Sequence, residues 1–159
     1  MPLLLCRVDD RLLHGQVVIG WGGALRANLV VLADDEIFTH PWEQEIYRMA
    51  LPSGMEAEFA SGAVAVQRLA AWAEGSARVI LLTGDIGTMA ALARARPDLI
   101  SAINLGGIHH GPGRIERLRY VYLSTAEMDA LQGLARDGVV ITAQDLPSAR
   151  PVPLGELAG

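Results

Sequence analysis

Val79-Ile80-Leu81-Leu82-Thr83 is an apolar run of strand length, and Gly84-Asp85 closes it at once. Residues 86–95 then carry an Ala-rich helical pattern, Pro97-Asp98 stops it, and a second apolar run occupies residues 100–105. Strand, helix and strand at this spacing make a parallel crossover unit. The rhythm continues in both directions. Strand-length runs stand at residues 3–8, 29–33, 57–60, 120–123 and 139–142, and helical patterns at 16–25, 41–51, 63–73 and 125–135. The alternation predicts an α/β fold: an open, mostly parallel sheet covered by helices on both faces. Pro52-Ser53-Gly54 ends the second helical pattern, and Ser124 with Glu127 forms a capping box ahead of the last. Residues 106–113 interrupt the rhythm with a glycine-rich loop, so a hairpin-like excursion with one short antiparallel strand is expected near 120–123. The tail from Leu146, with Pro147, Pro151 and Pro153, is expected to be irregular.

A chain of 159 residues suits one domain, spanning 1–159, around a single core. Half of the residues are hydrophobic but only 5% are aromatic, so Ala, Val, Leu and Ile must fill that core. The formal net charge of −5, with no basic stripe, argues against nucleic acid as a partner. All 13 basic residues are arginine. The lone cysteine, Cys6, lies inside an apolar run, which excludes disulfides and thiolate metal sites and predicts a buried, inert thiol. The first six residues are too short an apolar run for a signal peptide or a membrane span, and a cytoplasmic protein is expected.

In open α/β sheets, ligands sit beyond the carboxyl ends of the strands. The first loop there, residues 9–14, offers the carboxylates Asp9 and Asp10, the guanidinium of Arg11 with Arg7 just before it, and the imidazole of His14. A helix follows, so amides near Gly15 and Gln16 would add their dipole, and a dianion in this loop would meet cations and amides together. Arg7, Arg11, Gly15 and Gln16 are therefore candidate phosphate-binding residues, and Thr83, at the end of the fourth strand, adds a hydroxyl at the same edge. A histidine attacks phosphorus only through an unprotonated ring nitrogen. Nearby arginines oppose ring protonation and offset charge on the transferring oxygens. Asp9 or Asp10 would hold the second ring nitrogen or orient Arg11, and His14, Arg11 and Asp10 form the candidate catalytic set. The same residues also fit a solvated turn, and the pattern by itself leaves both readings open.

The run Arg7-Val8-Asp9-Asp10-Arg11-Leu12-Leu13-His14-Gly15-Gln16-Val17, followed by Trp21, resembles the signature of the IIB component of the mannose/fructose/sorbose family of sugar phosphotransferase systems. Asp34-Asp35-Glu36, Pro41-Trp42-Glu43, Tyr47-Arg48-Met49-Ala50, Pro52-Ser53-Gly54 and Asn104-Leu105-Gly106-Gly107-Ile108-His109 resemble family positions in the same order, so the likeness spans the chain. The resemblance implies a seven-stranded, mostly parallel sheet and a phosphorylated His14, with Arg11 and Arg7 on the phosphoryl oxygens. It further implies a IIA phosphohistidine as donor, and as acceptor a hexose or amino sugar emerging from the membrane IIC and IID components. A regulatory relay that docks IIA without phosphorylating sugar is the alternative, and a self-contained phosphatase or mutase a third. Gly20, Gly22 and Gly23 crowd the first helix, which is expected to be short or frayed.

Other residues carry weaker signals. His109-His110 lacks a spaced third metal ligand, whereas Gly106, Gly107 and His109 follow the fifth strand and would form one wall of the His14 site. No dinucleotide or P-loop fingerprint is present, so no cofactor is expected. Asp34-Asp35-Glu36 reads as a solvated acidic turn. Trp42, Tyr47 and Met49 read as packing residues of the core or of an interface, and a face carrying Trp42 would be a place for two copies to pair.

Overall fold

Val, Leu, Ile and Ala runs become strands wherever both faces of the sheet are covered, because such positions leave no solvent side for polar residues. The structure, a computed structural model, describes residues 3–158 apart from the Gln16 side chain. β1 (Leu3–Val8) leads through a π-helical segment (Gln16–Trp21) into α1 (Gly22–Leu25), and β2 (Leu29–Ala33) leads to the short α2 (Asp35–Phe38) and α3 (Pro41–Met49). Three parallel crossover strands follow with their helices: β3 (Glu56–Ala60), α4 (Gly62–Glu74), β4 (Val79–Thr83), α5 (Ile86–Ala95) and β5 (Ala102–Leu105). The chain then forms β6 (Arg114–Leu118), β7 (Val121–Ser124), α6 (Thr125–Arg136), β8 (Val140–Ala143) and β9 (Val152–Pro153).

Seven strands form one sheet in the order β3-β2-β4-β1-β5-β8-β9, parallel throughout except for β9 against β8. One face packs on α4, α5 and α6 through residues such as Leu69, Met89, Leu92, Leu131 and Leu134. The other packs on the π-helical segment and the α3 region through Val17, Val18, Trp21, Leu32, Phe59 and Leu82. β1 and β5 are neighbours, yet the chain leaves their carboxyl ends toward opposite sides of the sheet, which opens a crevice above that pair.

The sheet has the expected number of strands but a different membership. The run at 120–123 lies outside it, in a separate antiparallel pair of β6 and β7. The seventh strand comes instead from the proline-rich tail, where Val152 and Pro153 pair with Ala143 and Thr142. An edge strand tolerates proline because only one side of it must donate to the ladder. Buried Leu154 and Leu157 hold the tail down. Asp34 is more than a solvated turn residue, since it caps α2 by accepting from the amides of Glu36 and Ile37. α3 covers only the sheet edge beside β3 and buries none of its residues fully. Trp42 is 65% exposed and Met49 78%, so neither is a core residue, while Tyr47 packs at a tilt on Phe59. Cys6 is buried, which pushes its thiol up to about 12. Among the described residues no helix is long and apolar enough to cross a membrane.

Leu32 lies fully buried in β2 between β3 and β4. Leu32→Ala is expected to lower unfolding free energy by about 2–5 kcal/mol. Urea denaturation followed by circular dichroism measures the loss.

Candidate functional site

The loop after β1 is built by extending the sheet's hydrogen bonding past the strand ends. Asp9 N donates to Thr83 O, Gly106 N to Val8 O, and Asp10 N to Gly107 O, so three strand ends hold one loop. Leu12 then takes a left-handed backbone with φ of 57°, supported by its amide on Asp9 O. A non-glycine residue in that region costs about 1–2 kcal/mol, and packing must hold it there. Leu13 is buried, and Leu12 packs against Gly84 so closely that a Cβ there would stand 2.9 Å from its Cδ2. Gly84 thus makes room for Leu12. With both leucines turned inward, the next residue, His14, is exposed. Its carbonyl accepts from Val17 and Val18 and starts the π-helical segment, whose wide turn replaces the regular helix expected at 16–25.

Beneath the loop is a buried charge cluster. Arg7 and Asp9 are fully buried. Asp9 accepts Arg7 Nη2 at 3.1 Å, Arg11 Nε at 2.8 Å, Arg11 Nη2 at 2.7 Å and the Arg11 amide at 3.1 Å. Arg7 also donates to the Asn104 side chain, to Gln144 O at 2.8 Å and to Asp145 O at 3.1 Å, and its guanidinium lies 4.9 Å from the centre of the Trp21 ring. Arg11 reaches on to Asp145 Oδ1 at 3.1 Å. Burial pushes the Asp9 carboxyl upward, but the hydrogen bonds from Arg11 and the charges of Arg7 and Arg11 outweigh it and hold Asp9 below its ordinary value. The hydrogen bond with Asp9 raises Arg11, and burial lowers Arg7 against the pull of Asp9. Arg11 is therefore a fixed cation with a partly exposed surface.

The loop after β5 closes the other side. A Cβ on Gly106 would overlap Arg7 and Asp9, so that position demands glycine for close approach, and one on Gly107 would stand 3.0 Å from Arg11 Nε, a tight contact to which Arg11 would have to yield. Asp10 accepts the His109 amide at 2.8 Å and meets His109 Nδ1 at 2.6 Å. Arg114 donates to His109 O and grips Glu127 with two hydrogen bonds, while Glu127 completes the capping box of α6 with Ser124.

The predicted residues divide by placement. His14, Arg11 and Asp10 share the β1 loop, and Gly106, Gly107 and His109 form its β5-side neighbour. Gly15 is exposed at the head of the π-helical segment, where Gln16 begins, but the Gln16 side chain lies outside the described residues. Two of the residues lie inside: Arg7 is fully buried with its Nη1 and Nη2 donating to Asp9, Asn104 and two carbonyls, and Thr83 is buried with its hydroxyl donating to Asp85 O. The carboxylate that orients Arg11 is Asp9, whereas Asp10 faces His109. Asn104 stood in a quoted run without a role, and Gln144 and Asp145 were not singled out from the sequence, since nothing local signals that the ends of β5 and β8 meet β1.

Residues 3–158 match the family model described as PTS system sorbose subfamily IIB component. The chain is 28% identical over 158 residues to the N-acetylgalactosamine-specific phosphotransferase enzyme IIB component 2 of Escherichia coli, covering 99% of each. It is also 28% identical over 142 residues to the sorbose-specific EIIB component of Klebsiella pneumoniae, covering 87% of this chain and 84% of that one. The crystal structure of the IIBSor domain of the Klebsiella pneumoniae sorbose permease superposes with a TM-score of 0.86 at 26% identity, over 99% of this chain and 96% of that one.

Asp9→Asn leaves two guanidiniums around a neutral group and is expected to cost about 3–5 kcal/mol at neutral pH. Because the folded carboxyl lies below its unfolded value, this contribution is complete above the ordinary carboxylate range and is lost as pH falls through the lowered folded value. Urea unfolding across that acid range should show the gap between wild type and Asp9→Asn closing. Gly106→Ala is expected to destabilise by about 1–3 kcal/mol. Gly15→Ala, with open space around its Cβ, serves as the mild comparison.

Proposed function

The chain belongs to the sorbose-subfamily IIB components of the phosphotransferase system, and on that premise we propose that it is a cytoplasmic phosphocarrier accepting a phosphoryl group on His14. The donor is a phosphohistidine on a IIA partner, and the acceptor is a sugar presented by membrane IIC and IID components. The observation that carries the reading is the pairing of an exposed imidazole with a cation held rigid from below. Two residues, Leu12 and Leu13, separate Arg11 from His14, and Asp9 fixes Arg11 by a two-point contact.

The roles follow from that arrangement. A neutral His14 ring nitrogen attacks phosphorus in line with the leaving imidazole of the donor, so a weak nucleophile replaces a similar one and the transfer is reversible. Arg11 neutralises charge that grows on the equatorial oxygens, and its preorganisation by Asp9 removes the need to reorient during the step. Gly106 and Gly107 allow the β5 loop to approach, and Asp10 ties that loop to the β1 loop. An exposed acceptor suits a relay, because donor and acceptor proteins must each reach it and then leave quickly.

Incubation with phosphorylated IIA should place an acid-labile phosphate on this chain, readable by intact mass and by radiolabel. His14→Ala is expected to abolish it, and equal labelling of that variant would sink the assignment. Arg11→Lys keeps the charge but loses the planar fork, and phosphoryl acceptance should slow about 100-fold.

A further inference from the structure

A second histidine on the same sheet edge has the local chemistry of a proton acceptor. His109 Nδ1 lies 2.6 Å from Asp10 Oδ1. An ionised carboxylate carries no proton, so the ring nitrogen facing it is the donor, and the lone pair of the neutral ring is left on Nε2. The side chain is 72% exposed, and Nε2 makes no hydrogen bond among the described residues. Exposure on one side and a carboxylate on the other is the arrangement that orients an imidazole for proton abstraction.

The backbone under this ring is unusually well braced for a glycine-rich loop. Ile108 is buried, donates to Tyr120 O and accepts from the Tyr122 amide. Arg114 holds His109 O while gripping Glu127 at the head of α6. Beside the ring is an open cavity of about 180 Å³ lined by Arg11, His109, Arg119, Tyr120, Tyr122 and Asp145. That volume is below the range of drug-sized pockets and equals about six waters, room for one small ring. Tyrosine rings offer a flat apolar surface, and Asp145 and Arg119 offer an acceptor and a donor for hydroxyls. The wall holding the candidate base also holds Arg11, the cation assigned to the phosphoryl group.

We propose that His109, oriented by Asp10, is the general base for the step in which the phosphoryl group leaves this chain, and that the adjoining cavity admits the hydroxyl-bearing end of a monosaccharide acceptor. The inference rests on His14 being the phosphoryl carrier. In the transfer, the acceptor oxygen forms a bond to phosphorus as the N–P bond of phosphorylated His14 breaks. The bonding pair returns to the His14 ring nitrogen, the hydroxyl proton passes to His109 Nε2, and water later takes it. Accepting the phosphoryl group from another histidine requires no such proton, so His109 serves discharge and not loading.

The charged groups around His109 are Asp10 on the β1 loop, Arg114 against its carbonyl, and Arg11, Arg119 and Asp145 around the cavity. His109→Asn is the informative variant, because its amide can still donate to Asp10 while it has no basic nitrogen. Wild type and variant are loaded from phosphorylated IIA, then mixed with membrane vesicles carrying sorbose-family IIC and IID and, in turn, N-acetylgalactosamine, sorbose, mannose or fructose. The expected result is normal loading of His109→Asn, with sugar-dependent discharge slowed about 100-fold or more. Discharge at the wild-type rate overturns the proposal and leaves the carrier reading intact. So does equal loss of loading and discharge, which would make His109 only a clasp. Absence of sugar-dependent discharge in loaded wild type also overturns it, whereas failure of wild type to load on His14 overturns the carrier reading itself.

Discussion

A single buried carboxylate between two guanidiniums organises the functional end of this protein. Asp9 is out of contact with water, and an isolated charge there would cost several kcal/mol. Arg7 and Arg11 offset that cost only if both are held at hydrogen-bonding distance, and holding Arg7 recruits Asn104 on β5 and two carbonyls just beyond β8. The cluster therefore joins three strands that are distant in the sequence. Trp21 closes it from the opposite face, stacked against Arg7 and donating to Asp145 O at 3.2 Å. The glycine pair at 106 and 107 follows from the same constraint, since side chains there would occupy the space of the ion pairs.

The cluster separates stability from chemistry. Arg7 and Asp9 are inside and bonded to each other, Arg11 is partly outside, and His14 is outside. A reactive histidine on a bare turn would sample many orientations. Here Leu12 and Leu13 anchor the turn in apolar surroundings, and the strained backbone at Leu12 is the cost of turning the chain sharply enough to present His14. The loop thus combines a preorganised cation with an exposed imidazole, the two features on which the proposed phosphocarrier role rests.

A second tier of polar contacts reaches from the β1 loop through Asp10 and His109 to Arg114, Glu127 and the start of α6. Whereas the Asp9 cluster is buried and electrostatically strong, this tier is exposed in part and screened by solvent. Its contribution to folding is accordingly small. Its geometry is nonetheless specific, with Asp10 receiving both an amide and a ring nitrogen from the same residue.

Periodicity and punctuation in the sequence determined most of the fold. The apolar runs at 29–33 and 79–83, the helix at 86–95 and the capping box at Ser124 and Glu127 are local signals and appear in the structure where those signals stand. That Asp9, Arg11 and His14 share one loop was legible as well, because they are close in sequence. Tertiary structure alone decided which carboxylate serves Arg11, why Arg7 and Thr83 face inward, and that Asn104 and Asp145 brace the two arginines. It also decided that the proline-rich tail, and not the run at 120–123, supplies the seventh strand. The physical reason is common to all of these. Local pattern fixes which face of a strand or helix is apolar, but the partners of a buried polar group come from whichever strand ends the sheet order brings together.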